Sequence, residues 1–241
     1  MSKNSLEAMR SSWDARAKEN ARAYINWPDV PDNDAAFFES GRVDYNRFVT
    51  PFLKRMNFDP AGTMALEIGC GIRRIARWMS ADFGRYMGVD VSPEMVRRAQ
   101  SYGLPNASFS AVEGNQLNGI PDACADFVFS FAVFQHVPEK TAILNYFSET
   151  ARVLRPGGIF RLQMKGLWTL PLGRLMVEAG LSEKVRAGRM HVPFVRTRYL
   201  DTWQGRSIPP AEAARECTAR GLSVQEIEGA WTVMMWIGGR K

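Results

Sequence analysis

The 241 residues, 46% hydrophobic and 23% charged, can bury one substantial core, and a single domain is expected. Three cysteines, Cys70, Cys124 and Cys217, are odd in number and not spaced as metal-binding pairs, which argues against a disulfide framework or a zinc site and fits a reducing cytoplasm. No apolar run approaches the roughly twenty residues of a membrane span, and the opening Met1-Ser2-Lys3-Asn4-Ser5 lacks the apolar stretch of a signal peptide, so a soluble protein is expected. The net charge of +6 raises a nucleic-acid reading, which depends on where the basic residues fall.

In chain order, Leu6 to Ile25 reads as a helix with Trp13 and Tyr24 among charged residues. Its Glu7, Arg10, Asp14, Arg16, Lys18 and Glu19 have the alternating signs of a solvated face. Trp27-Pro28-Asp29-Val30-Pro31-Asp32 breaks it before a second helix with Phe37, Phe38, Phe48, Phe52 and Leu53. Residues 1–58 thus form a helical N-terminal segment and 59–241 the main domain. A strand from Thr63 to Ile68 leads into a helix whose Ile72, Ile75, Ala76 and Met79 share one face. Arg85 to Asp90 is the second strand; Ser92 then caps a helix that Pro93 opens and Gly103 stops. Ala107 to Val112 is a third strand, and the apolar Ala125 to Phe131 a buried fourth. Glu139 to Leu154 is helical, Pro156-Gly157-Gly158 ends it, and Ile159 to Met164 resumes as strand. After a variable insert at about 165–208, Pro209 and Pro210 start a helix to Arg220, Gly221 stops it, and Leu222 to Ile227 and Thr232 to Ile237 read as two closing strands. The alternation of strand and helix is that of an α/β, doubly wound, mostly parallel sheet, with neither internal repeats nor low-complexity runs.

The chemistry concentrates at Glu67-Ile68-Gly69-Cys70-Gly71 and at Asp90, nineteen residues after Gly71. A strand that ends in a glycine turn, followed by a strand that ends in a carboxylate, outlines a site for an adenosine ligand whose ribose hydroxyls the acid would bind. G-x-G-x-x-G would need glycine at position 74, where Arg74 stands, which disfavours NAD. Glu67 would repel a pyrophosphate and suits an ammonium group. S-adenosylmethionine has an ammonium, a sulfonium and no phosphate.

These residues, with Val89-Asp90-Val91-Ser92-Pro93-Glu94-Met95, Glu113-Gly114-Asn115, Asp126-Phe127-Val128-Phe129-Ser130, Phe134-Gln135-His136-Val137 and Leu154-Arg155-Pro156-Gly157-Gly158, resemble the successive motifs of class I S-adenosylmethionine-dependent methyltransferases, of the small-molecule, type 11-like kind. The resemblance implies a Rossmann-like, mostly parallel seven-stranded sheet with an antiparallel terminal strand, and N-terminal helices that act as a lid. It implies that Gly69 and Gly71 line the methionine portion of S-adenosyl-L-methionine, that Asp90 binds the ribose, that Asn115 and Gln116 lie near the adenine, and that Cys70, Val91 and Met95 also belong to the cofactor site. Glu67 would organise the turn and the amino-acid end, with Ser130, Phe131 and Gln135 bordering methionine and acceptor. The pattern departs at Arg73, where the family usually has a third glycine, so either the turn shifts or the arginine points away.

His136 follows the fourth strand at the edge where ligands bind, and is the candidate base for an oxygen or nitrogen acceptor; a packed structural histidine is the other reading. His191 reads as a loop residue. From Arg161 to Arg206, Lys165, Arg174, Lys184, Arg186, Arg189, Arg196, Arg198 and Arg206 outnumber Glu178, Glu183 and Asp201, with Trp168, Phe194, Tyr199 and Trp203 interleaved. That mixture reads as a basic surface or as a site for a planar anionic acceptor. The leading expectation is methyl transfer to a small molecule; a nucleic-acid methyltransferase and a non-catalytic cofactor-binding protein are the alternatives.

Overall fold

A computed structural model describes residues 3–26, 30–166, 205–230 and 234–241. Seven strands form one sheet in the order β3-β2-β1-β4-β5-β7-β6. They are β1 (Met64–Ile68), β2 (Arg85–Asp90), β3 (Ala107–Ala111), β4 (Ala125–Ser130), β5 (Leu154–Lys165), β6 (Ser223–Glu228) and β7 (Met234–Arg240). The first five pair in parallel, and β7 runs antiparallel to both β5 and β6. The seven-stranded, mostly parallel, Rossmann-like sheet expected from the sequence is therefore present.

Alternation along the strands sorts the core into two layers. Leu66, Ile68, Val128, Phe160 and Leu162 face α6 (Lys140–Val153) and α7 (Pro210–Thr218). Ala65, Tyr86, Phe127, Phe129 and Trp236 face α3 (Thr50–Arg55), α4 (Ala76–Asp82) and α5 (Pro93–Gln100). Parallel strands covered on both faces need apolar side chains throughout, which is why β1 and β4 are almost continuously apolar.

The first helix, α1 (Lys3–Ile25), bends at Asn20, and α2 (Asp34–Asp44) continues through one π-helical turn, Tyr45–Val49, into α3. The phenylalanines placed on one helix thus belong to three successive segments, of which Phe37 and Phe38 meet Ala17 and Ala21 of α1 and Phe48 and Phe52 meet the sheet. At Gly41 the chain of α2 crosses the turn after β1 so closely that a β-carbon would lie 1.9 Å from the Arg74 carbonyl oxygen. Gly41→Ala is therefore expected to cost about 1 to 3 kcal/mol despite alanine's better helix propensity, read as a lower denaturation midpoint.

Two expectations are corrected. The helix after β1 begins at Ala76 rather than Ile72, because Arg73 takes a φ of 68°, which no α-helix accommodates. The charged residues of α1 are not all solvated. Arg16 is 0% exposed, its guanidinium 4.6 Å from the Trp13 ring centroid and 5.7 Å from that of Tyr24. Asp14 caps α5, accepting from Ser92 Oγ and from the Glu94 amide at 2.9 Å each. No helix among the described residues is long and apolar enough to cross a membrane.

Candidate active site

The candidate residues gather at the carboxyl ends of β1, β2 and β4, where strand order makes neighbouring loops diverge. Gly69 and Gly71 have φ of 78° and 54°, left-handed values that let the chain turn sharply out of β1. The amides of Gly69 and Cys70 both donate to the Val89 carbonyl, at 2.7 and 3.0 Å, which ties the turn to the end of β2. Asp90 completes the tie: Oδ2 accepts from the Gly71 amide and Oδ1 from the Ser92 amide, each at 2.9 Å. Burial raises the Asp90 carboxyl above the ordinary range, with backbone donors opposing it. A carboxylate oxygen has two lone pairs, so both oxygens keep acceptor capacity for the hydroxyls of a ribose.

Glu67 is 3% exposed on β1 and accepts from the Tyr86 hydroxyl. Burial pushes its carboxyl up to about 7, against the hydrogen bond from Tyr86 and the charge of Arg74. Arg74 is itself buried and donates to Asp44 at 2.6 Å. Cys70 is buried, its Sγ donating to the Gly71 carbonyl at 3.7 Å and packed against Gly88, and burial raises its thiol well above the usual range. Val91 is half-buried beside the core, and Met95 is buried between α1, α2 and Ile72. Asn115 is half-buried and Gln116 exposed, in the loop that follows β3.

On the acceptor side, Ser130 is buried with Oγ donating to the Ile68 carbonyl at 3.0 Å. Phe131 stacks on Trp236 at 5.4 Å and lies 5.1 Å from Phe48. His136 ends the 3-10 turn Phe134–His136, 6% exposed, with the Trp13 ring edge-on at 5.2 Å. The Gln135 amide nitrogen lies 3.1 Å from His136 Nε2. An amide nitrogen only donates, so in this orientation Nε2 accepts and the imidazole proton sits on Nδ1.

The sequence reading missed Gln163. This buried residue of β5 accepts from the Ala132 amide at 2.9 Å, which fixes Ala132 at a φ of 59°, and donates to Gln135 Oε1 at 3.4 Å. A glutamine inside an apolar strand is the signal that could have found it, since buried polar side chains need partners.

Helix α1 covers the cleft. Met9 Cε and Ile25 Cδ1 come within 3.0 and 3.1 Å of where β-carbons would stand on Gly114 and Gly71, and Val133 closes on Gly69. Arg73 points away from the cleft onto Tyr102 and Phe38. Arg161 is no part of a basic surface, since it is buried and paired with Glu226 and Glu228. Lys165 donates to the Gly205 carbonyl at 3.2 Å and Arg206 is exposed; His191 and the basic and aromatic residues from Trp168 to Trp203 lie outside the described residues.

A glycine turn after β1 laced to a carboxylate after β2, on a sheet closed by an antiparallel β7, defines an adenosyl-cofactor domain. Residues 66–162 match the methyltransferase domain family. The chain is similar to 2-methyl-6-phytyl-1,4-hydroquinone methyltransferase of Synechocystis sp., 34% identical over 42% of this chain and 31% of that protein. It is also similar to trans-aconitate 2-methyltransferase of Azoarcus sp., 34% identical over 55% of this chain and 50% of that protein. The chain thus spans half or less of the lengths of these relatives. In fold it resembles magnesium protoporphyrin IX methyltransferase from Synechocystis PCC 6803 with bound SAH, at a TM-score of 0.66 and 18% identity over 98% of this chain and 99% of that one.

Proposed function

We propose that this chain methylates an oxygen or nitrogen of a small organic acceptor, with S-adenosyl-L-methionine as donor. The observation that carries the reading is the tie from the Gly71 amide to Asp90, because it sets a glycine cradle and a ribose-binding carboxylate side by side. The turn suits the close approach of a ligand at Gly71, where a β-carbon would meet only Ile25 of the overlying α1, whereas at Gly69 it would run into Val133. The two curated relatives are named for small acceptors, a hydroquinone and trans-aconitate, which favours a small molecule over nucleic acid.

When bound, the cofactor supplies a methyl group already activated by its sulfonium charge, so the chain's work is mainly positioning. Gly69 and Gly71 would hold the methionine portion, Asp90 the ribose, and Asn115 and Gln116 the adenine end. Glu67 orders the turn from below through Tyr86. Helix α1 is the lid: Met9, Trp13 and Ile25 lie over the cleft and must lift to admit ligands, and their closure excludes water. His136 is the candidate base: once Gln135 yields Nε2, whose lone pair it occupies, the imidazole is free to take the acceptor's proton.

Calorimetry tests the cofactor assignment. S-adenosylhomocysteine is expected to bind with a dissociation constant of about 10 μM or tighter, and NAD not to bind. Asp90→Ala is expected to weaken that binding by about 1 to 3 kcal/mol through loss of charge-assisted hydrogen bonds. Binding of NAD without any S-adenosyl ligand would sink the reading, and full affinity in a folded Asp90→Ala variant would move the ribose elsewhere.

A further inference from the structure

We propose a second ligand site, outside the cofactor cleft, in which Arg73 and Arg77 bind a small organic oxyanion, a carboxylate or phosphate. The two side chains line an open groove of about 470 Å³ with Phe38, Trp78 and Tyr102. Arg73 is only 6% exposed, yet its Nε has no hydrogen-bond partner and its guanidinium makes no ion pair among the described residues. It lies 3.9 Å from the Tyr102 ring centroid and 4.8 Å from that of Phe38. Arg77 lies 5.3 Å from Phe38 and 5.4 Å from Trp78, also without an ion pair among the described residues. Stacking occupies the faces of the guanidinium planes and Arg73 Nε is buried, so the terminal N–H groups are the ones that would take a carboxylate or phosphate.

The acidic residues of the groove do not supply that partner. Asp34 pairs with Arg22 and Glu39 with Arg42. Asp34 acts on Arg73 through space without bonding to it, so the two cations of the groove lack a hydrogen-bonded counter-charge among the described residues, and a largely desolvated guanidinium is costly until an anion reaches it. Burial and the neighbouring charge of Arg77 also hold Arg73 below the ordinary guanidinium range. The backbone at Arg73 takes a left-handed conformation in which glycine would be unstrained, so the side chain is held there at a local cost. Its placement is the reverse of the cleft: the turn that faces Asp90 at Gly71 faces the groove two residues later. The site does not rest on the methyl-transfer reading.

Titration calorimetry with sodium citrate and with inorganic pyrophosphate, against chloride at matched ionic strength, tests the site. Saturable binding of at least one probe is expected, with a dissociation constant below about 1 mM. Citrate alone binding identifies a carboxylate ligand, and pyrophosphate alone a phosphate. R73G, which relieves the positive φ, and R77Q are each expected to weaken the probe about tenfold with the melting temperature maintained. Asp90→Ala is expected to bind the probe normally. The site is overturned by three results: neither probe surpassing chloride, both arginine variants binding as the parent does, or loss of probe binding in Asp90→Ala alone.

Discussion

His136→Gln is expected to lower turnover about a hundredfold or more while affinity for S-adenosylhomocysteine stays unchanged. The geometry sets the expectation. His136 is held from two sides, by the Gln135 amide at Nε2 and by the edge of Trp13, and Gln135 is anchored in turn by Gln163 and by the Gly205 amide, which donates to its carbonyl at 2.8 Å. A ring so fixed at the end of β4 can act as a base only when Gln135 yields Nε2, and the variant separates that role from packing. Glutamine keeps a planar polar side chain beneath Trp13, so melting temperature serves as the control for a packing role. With an acceptor identified by mass spectrometry of co-purified material, kcat is measured across pH. Unchanged kcat in the folded variant would leave catalysis to proximity alone. A fall in kcat that tracks a fall in melting temperature would assign His136 to the core.

Much of the scaffold was legible because buried parallel strands leave a simple trace. β2 runs from Arg85 to Asp90, as read, and β4 ends within a residue of the expected bound. The turn after β1 was legible for a different reason: two glycines followed by a distant aspartate have few other physical uses. What escaped the sequence are effects of tertiary context. Periodicity carries the apolar face of α4 back to Ile72, but the left-handed Arg73 interrupts the helix, and no pattern of apolar residues encodes a positive φ at an arginine. Arg16 follows the sign alternation of a surface helix, yet the path of α1 across the strand ends buries it. Arg161 counts toward a basic stretch by proximity in sequence, while its counter-charges, Glu226 and Glu228, arrive from more than sixty residues away. Charge counting along a chain is blind to partners brought in by sheet pairing.

Glu67→Gln is expected to stabilise the protein at alkaline pH and to leave it nearly unchanged in acid. In the folded chain the Glu67 carboxyl is raised from 4.5 to about 7, chiefly by burial. A raised acid is more stable protonated, so its contribution to folding is intact below pH 4.5 and is lost as pH rises through about 7. Above that pH the buried carboxylate costs on the order of 3 kcal/mol, from about 1.4 kcal/mol per pH unit. An amide cannot ionise, and its oxygen still accepts from Tyr86, so the variant escapes the cost without forfeiting the hydrogen bond. Urea denaturation at pH 4.5 and pH 8 checks this: the midpoints should nearly coincide at the lower pH and separate at the higher. Parallel midpoints at both values would mean that Arg74 and Tyr86 already neutralise the charge. Retaining a destabilising acid beneath the glycine turn makes sense only if the charge serves ligand binding. Saturating S-adenosylmethionine is accordingly expected to narrow the gap at pH 8, because its ammonium interacts favourably with the carboxylate and not with the amide.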